Sequence, residues 1–152
     1  MYDYYIEQLK TDFNEARTAW ETIKTQLEKV YMLDHTSRAC KARITRVLND
    51  GKNWFKRVES LMNRLPKDDR PPSIELIAEL GKELKLRYLS AFSGLSCTVS
   101  DLPIGKDRKK AIMIVVNSIT DDYVARMKGT LKSLVDWQGP ASLHGRWLFF
   151  YD

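Results

Sequence analysis

Apolar positions recur along the first part of the chain at the spacing of a helix that packs along one stripe. Ile6, Leu9, Phe13, Ala16, Trp20, Ile23, Leu27 and Val30 follow one another at alternating steps of three and four, which is a heptad pattern. No Pro or Gly interrupts residues 1–50, and the off-stripe positions are mostly Glu, Gln, Lys, Thr and Arg. Roughly 28 residues at about 1.5 Å each predict a rod of about 40 Å.

A second stripe follows in Cys40, Ile44, Val47, Gly51, Trp54, Val58, Leu61 and Leu65. Asp34 to Ser37 offers several N-caps, and Pro66 stops the helix. Gly51 ends the turn-like tripeptide Asn49-Asp50-Gly51 inside this stripe. Glycine in a helix interior costs about 1 kcal/mol against alanine. Three explanations stand open: a kink, a break, or room for a large neighbour such as Trp20. Residues 1–66 are thus expected to form an antiparallel hairpin. Such a hairpin covers each stripe on one side only, so a third element must come from this chain or from another copy.

The breaker Pro66-Lys67-Asp68-Asp69-Arg70-Pro71-Pro72 marks the boundary to residues 67–152. Ser73 is placed to cap a third helix, with Glu75 and Glu79 in its first turns. Ile74, Ile77, Leu80, Leu84 and Tyr88 carry its apolar face, and Leu76, Leu86 and Leu89 widen it toward burial on more than one side. Residues 90–106 read as loop with a short strand. Ala111–Val116 is apolar and largely β-branched, which fits either a buried strand or a helix that Asp107 would cap. Thr120 or Asp121 is expected to cap a last helix through Val124, Met127, Leu131, Leu134 and Val135, closed by Gly139-Pro140. Arg146 to Tyr151 has β propensity. The expected fold is mainly α: a long antiparallel two-helix hairpin with two further helices, and a small C-terminal strand pair as the open alternative. Residues 67–152 should pack on the hairpin to make one domain.

Composition narrows the class. The chain has 152 residues, 43% hydrophobic and 30% charged, which is ordinary for a globular protein. Its longest apolar run, Ala111–Val116, is far short of the roughly 20 residues of a membrane helix. The opening MYDYYIEQLK lacks the basic and apolar regions of a secretory leader. Cys40 and Cys97 make neither a disulfide framework nor a zinc cluster. A reduced, cytoplasmic setting is expected, with no membrane partner.

Charge is where the sequence becomes specific. The net charge is +5, and it is not evenly spread. Residues 1–37 are net acidic, whereas residues 38–57 hold Arg38, Lys41, Arg43, Arg46, Lys52, Lys56 and Arg57 against Asp50 alone. On a helix, Arg38, Lys41, Lys52 and Lys56 fall opposite the apolar stripe, and Arg43, Arg46 and Arg57 lie on one shoulder. Such a ridge can track phosphates, with Phe55 near the shoulder as a base-stacking candidate. It can equally be a solvated face balanced by Glu7, Asp12, Glu15, Glu21 and Glu28 of the first helix. Lys106, Arg108, Lys109 and Lys110 form a second basic element, either an extension of the ridge or a soluble start to a helix. Gly105-Lys106 is no phosphate loop, because Ser100 stands where the first glycine is required.

Other chemistry is thin. Cys97 is the one thiol worth testing with His35 or His144 as base, and Cys40 lies on the apolar stripe. The cysteines and histidines lack metal-ligand spacing. Asp68-Asp69 and Asp121-Asp122 suit turns and caps. No catalytic residue, metal or cofactor is assigned. Seven of the sixteen aromatics crowd the two ends, in Tyr2, Tyr4 and Tyr5 and in Trp147, Phe149, Phe150 and Tyr151. Aromatics at termini need a surface to dock on, and the last four are the candidate interface. The leading expectation is a non-catalytic interaction or assembly module with a protein partner or a second copy. A sequence-tolerant nucleic-acid binder using the basic helix face comes second, and an enzyme third.

Overall fold

The computed structural model describes residues 2–138. Helix α1 spans Tyr2–Tyr31 and α2 spans Arg38–Met62. The turn between them is closed at both ends. The Thr36 hydroxyl donates to the Val30 carbonyl at 2.6 Å, and Ser37 Oγ accepts from the Cys40 N–H at 3.1 Å, satisfying groups that the helix ends leave open. Contacts run backwards along α2 as they run forwards along α1: Phe13 meets Phe55 and Trp20 lies on Gly51. The hairpin is antiparallel. All eight residues of the first stripe are buried.

The third element comes from the chain itself. Ser73 caps α3 (Ile74–Lys82), which runs through a π-helical segment (Glu83–Arg87) into α4 (Tyr88–Phe92). A short α5 (Leu95–Ser100) leads to α6 (Lys106–Ser118), a second π segment (Ile119–Val124) and α7 (Ala125–Gln138). The two interrupted rods pack beside the hairpin. The α3–α4 rod lies against α2, the α6–α7 rod against α1, and α3 meets α7. The main core joins side chains from residues 1–66 and from residues 67–138. None of these helices is long and apolar enough to cross a membrane.

Four expectations for the C-terminal part need correction. Ala111–Val116 is helix, not strand: Ile112, Val116 and Ile119 are buried at helical spacing while Ile114 points to solvent. A β-branched run takes the period of the surface it packs on. The helix starts at Gly105, with Asp107 in its first turn rather than at its cap. Residues 95–100 are helical because Leu95, Val99 and Leu102 all reach the core. No helix begins at Thr120 or Asp121, since the rod continues through the second π segment and leaves both aspartates exposed along it. Leu86 and Leu89 are about half exposed, 52% and 55%, because the wider π turn resets the buried face. Past it, Ala91, Phe92 and Leu95 point inward instead. The expected closing Gly139-Pro140 and the Arg146–Tyr151 strand lie outside the described residues.

Gly51 has one clear role. A Cβ built there would lie 2.2 Å from both Cζ2 and Cη2 of Trp20. The helix runs unbroken through Asn49-Asp50-Gly51, so neither a kink nor a break is needed. Trp20 cannot retreat, being buried against Phe55 and Phe92 at centroid distances of 5.9 and 5.7 Å. Gly51→Ala is therefore expected to lower stability by about 1–3 kcal/mol through overpacking, although alanine is the better helix former. Trp20→Phe in the same chain should recover part of the loss, as read by denaturant unfolding.

Asp12 supplies a pH signature. It is buried at 6% exposure, with its nearest cation, Arg126 Nη1, 3.8 Å away. Burial raises its pKa above the ordinary carboxylate value, Arg126 pulls it back and Glu15 pushes it up further. The folded chain thus holds this proton more tightly than the unfolded chain, and ionised Asp12 costs stability near neutral pH. As pH falls through the raised pKa that cost disappears. Asp12→Asn should raise the melting midpoint near pH 7, and its advantage should close as the pH approaches about 4.

Candidate nucleic-acid interface

The seven bases of α2 do not form one equivalent row. Two are committed to the fold. Arg57 Nε lies 3.0 and 3.3 Å from the two carboxylate oxygens of Glu83, which is only 1% exposed and also accepts from Arg87 Nη1 at 2.9 Å. Arg43 Nη1 donates to Asp101 at the end of α5 at 2.6 Å; this bond, more than any other influence, holds the guanidinium charge firmly, raising its pKa. Lys41 lies over the Tyr31 ring at 5.3 Å, within cation–π reach. Arg38, Arg46, Lys52 and Lys56 are exposed and have no ion-pair partner among the described residues. The face opposite the stripe is therefore open and cationic, and the shoulder holds the two ion pairs.

The balancing acids of α1 do not reach this face. Asp12 and Glu15 turn to the other flank, each 3.8 Å from Arg126 of α7. Among the described residues no ion pair joins an α1 acid to an α2 base. The pair that does cross runs the opposite way, from Arg17 of α1 to Glu59 of α2.

That pair reveals a row the sequence reading missed. Lys10, Arg17 and Lys24 are spaced by sevens and share the heptad position that flanks α2. Between this row and α2 runs a surface groove of about 390 Å³. Arg17, Lys24, Lys52 and Lys56 rim it with Glu21 and Glu59, above a floor of Trp20, Leu48 and Phe55. A shallower hollow on the far side of the Arg17–Glu59 bridge continues it past Lys10 and Asn63.

Phe55 cannot be a stacking platform. It is 5% exposed, inside a cluster of rings formed by Phe13, Trp20, Trp54 and Phe92. The ring sits on the α1 side of the helix, where the hairpin closes over it. The second basic element is also placed apart from the groove. Arg108 borders a small pocket with Thr22, Ile23 and Gln26 on the other flank of α1, and Lys109 Nζ donates to the Ser100 carbonyl at 2.6 Å. Lys106 and Lys110 are exposed. Asp68 and Asp69 do serve a turn, accepting from Arg70 and from the Asp3 N–H. Cys40 is half-buried and Cys97 exposed, both as free thiols. The described residues contain no group of three or more metal-ligating side chains. The candidate interface Trp147, Phe149, Phe150 and Tyr151 lies outside the described residues, as does His144.

This division of the bases has a measurable consequence. Arg57→Ala removes a partner from a buried carboxylate and should cost about 1–3 kcal/mol of stability. Lys52→Gln and Lys56→Gln remove exposed, unpaired charges and should stay within about 0.5 kcal/mol of the parent in the same unfolding assay. Comparison with known proteins yields no matching family model, no similar curated protein and no similar solved structure.

Proposed function

We propose that this chain is a non-catalytic interaction module whose docking surface is the basic face of α2, and that the partner is nucleic acid bound through its backbone. One observation carries this reading: the cations that remain unpaired are gathered on a single exposed face, while the acids that would neutralise them are engaged elsewhere. Arg38 and Lys56 are eighteen residues apart on one helix, about 27 Å along its axis. That is long enough to follow several phosphates. With the aromatic rings of the hairpin buried, recognition rests on phosphate charge and tolerates sequence.

Assembly through protein contacts is the competing reading. Its support is the exposed pair Leu86 and Leu89 on the α3–α4 rod and the aromatic residues Trp147, Phe149, Phe150 and Tyr151. The hairpin stripe offers it less, because α3–α7 already cover that stripe.

Fluorescence anisotropy with labelled single-stranded and duplex oligonucleotides separates the two. About five phosphate contacts should make affinity fall roughly a hundredfold or more between about 50 and 200 mM salt. The combined variant R38E/K41E/R46E/K56E should lose binding while keeping its helical content. No binding by the parent chain at the lowest salt would remove the nucleic-acid reading. A dimer or larger species by light scattering, insensitive to those four changes, would favour assembly.

A further inference from the structure

We propose that the groove between α1 and α2 is a phosphate seat, in which Lys24 from one helix and Lys52 and Lys56 from the other converge on a phosphate group. It rests on the reading above and extends the contact surface from one helix to two.

The geometry carries the argument. Lys24, Lys52 and Lys56 border the same 390 Å³ groove, and none of them has an ion-pair partner among the described residues. Lys52 and Lys56 are four residues apart on one face, and like charges at that spacing repel. Lys24 brings a third positive charge to the same opening from across the seam. Its heptad position sets its stem beside the apolar floor, which lets the ammonium project to the rim. An anion held between the three would relieve that repulsion.

The chemistry of the rim favours phosphate over carboxylate. A carboxylate is best met by the planar fork of arginine, whereas lysine acts as a point charge that suits phosphate approached from several directions. Around this groove the arginines are already on carboxylates, Arg17 on Glu59 and Arg57 on Glu83. The lysines are the open groups. The Arg17–Glu59 pair then sets the strength of the seat. Glu59 places negative charge at the rim and holds Arg17, whose guanidinium also stacks over Phe13 at 4.7 Å. Without the carboxylate, Arg17 becomes a fourth phosphate contact.

The test uses the full chain with three probes: a labelled oligonucleotide, inorganic tripolyphosphate and polyglutamate. K24Q/K52Q/K56Q is expected to weaken oligonucleotide binding at least tenfold and to flatten its salt dependence by about two units of slope, as three lost contacts to a single strand require. E59Q is expected to tighten binding about 2- to 5-fold. Unchanged melting midpoints would show that the variants fold. Tripolyphosphate should compete with the oligonucleotide on the parent chain and fail to bind the triple variant. If R38E/K41E/R46E abolishes binding while K24Q/K52Q/K56Q keeps parental affinity and slope, the seat is overturned and the basic-face reading survives. If no oligonucleotide binds but tripolyphosphate does, and depends on Lys24, the seat stands as a site for a small polyphosphate and the nucleic-acid reading falls. Polyglutamate binding as tightly as the oligonucleotide, with the same dependence on the three lysines, would overturn the phosphate assignment.

Discussion

The closest approach in this bundle is between an indole and a residue without a side chain. Trp20 lies on the backbone of Gly51, and that contact fixes how near α1 and α2 can come. Because the helices are close there, Phe13, Trp54, Phe55 and Phe92 pack around Trp20 as one group of rings. Trp54 is fully buried, so its indole N–H must find an acceptor inside the protein. It donates to the Glu83 carbonyl at 3.1 Å, at the start of the first π segment. That carbonyl also accepts from the Tyr88 N–H, closing the wide turn. The Glu83 carboxylate is buried with the same residue and needs positive partners, which Arg57 and Arg87 provide. A missing side chain on one helix is thus connected, contact by contact, to the ion pair that withdraws Arg57 from the open basic face.

What the sequence made legible was whatever repeats at the helical period. Both stripes, the hairpin, the Ser37 and Ser73 caps and the need for a third covering element could be read from spacing and cap chemistry. The stretches that were misread are those where period and composition disagree. Leu95, Val99 and Leu102 are helically spaced, but Ser, Thr, Gly and Cys between them mask the pattern. Ala111–Val116 carries strand composition on a helix whose buried positions are only every third or fourth. The π segments are a separate difficulty. A single wide turn rotates every later residue, so Leu86 and Leu89 leave the face that the pattern before Glu83 assigns to them. Nothing in the spacing upstream announces that rotation.

The binding face was half legible for a related reason. Charge summed over a segment averages all faces of a helix. Residues 1–37 are net acidic, which made α1 look like a counterweight to α2. Its acids and bases in fact part company around the helix axis: Asp12 and Glu15 face Arg126, whereas Lys10, Arg17 and Lys24 face α2. The sevenfold spacing of those three bases was present in the sequence, and heptad register rather than net charge would have found it. Phe55 failed the other way, because a helical projection places a ring at an angle without saying how closely the partner helix covers it.

Unpaired like charges are a cost to any fold, and this fold had the means to avoid them. Lys52 and Lys56 repel at helical spacing by a few tenths of a kcal/mol. Moving α1's acids by one heptad position would have set them opposite. The chain does pair bases with acids elsewhere, at Arg43, Arg57, Arg87 and Arg126, so the open face does not reflect a shortage of carboxylates. Local arrangements that work against stability and bring no packing in return concentrate where a protein meets a ligand. The open lysines bring none: they are exposed and their removal leaves no cavity. On that ground the groove between α1 and α2 is better understood as an incomplete electrostatic site, finished by an anion, than as solvated helix surface.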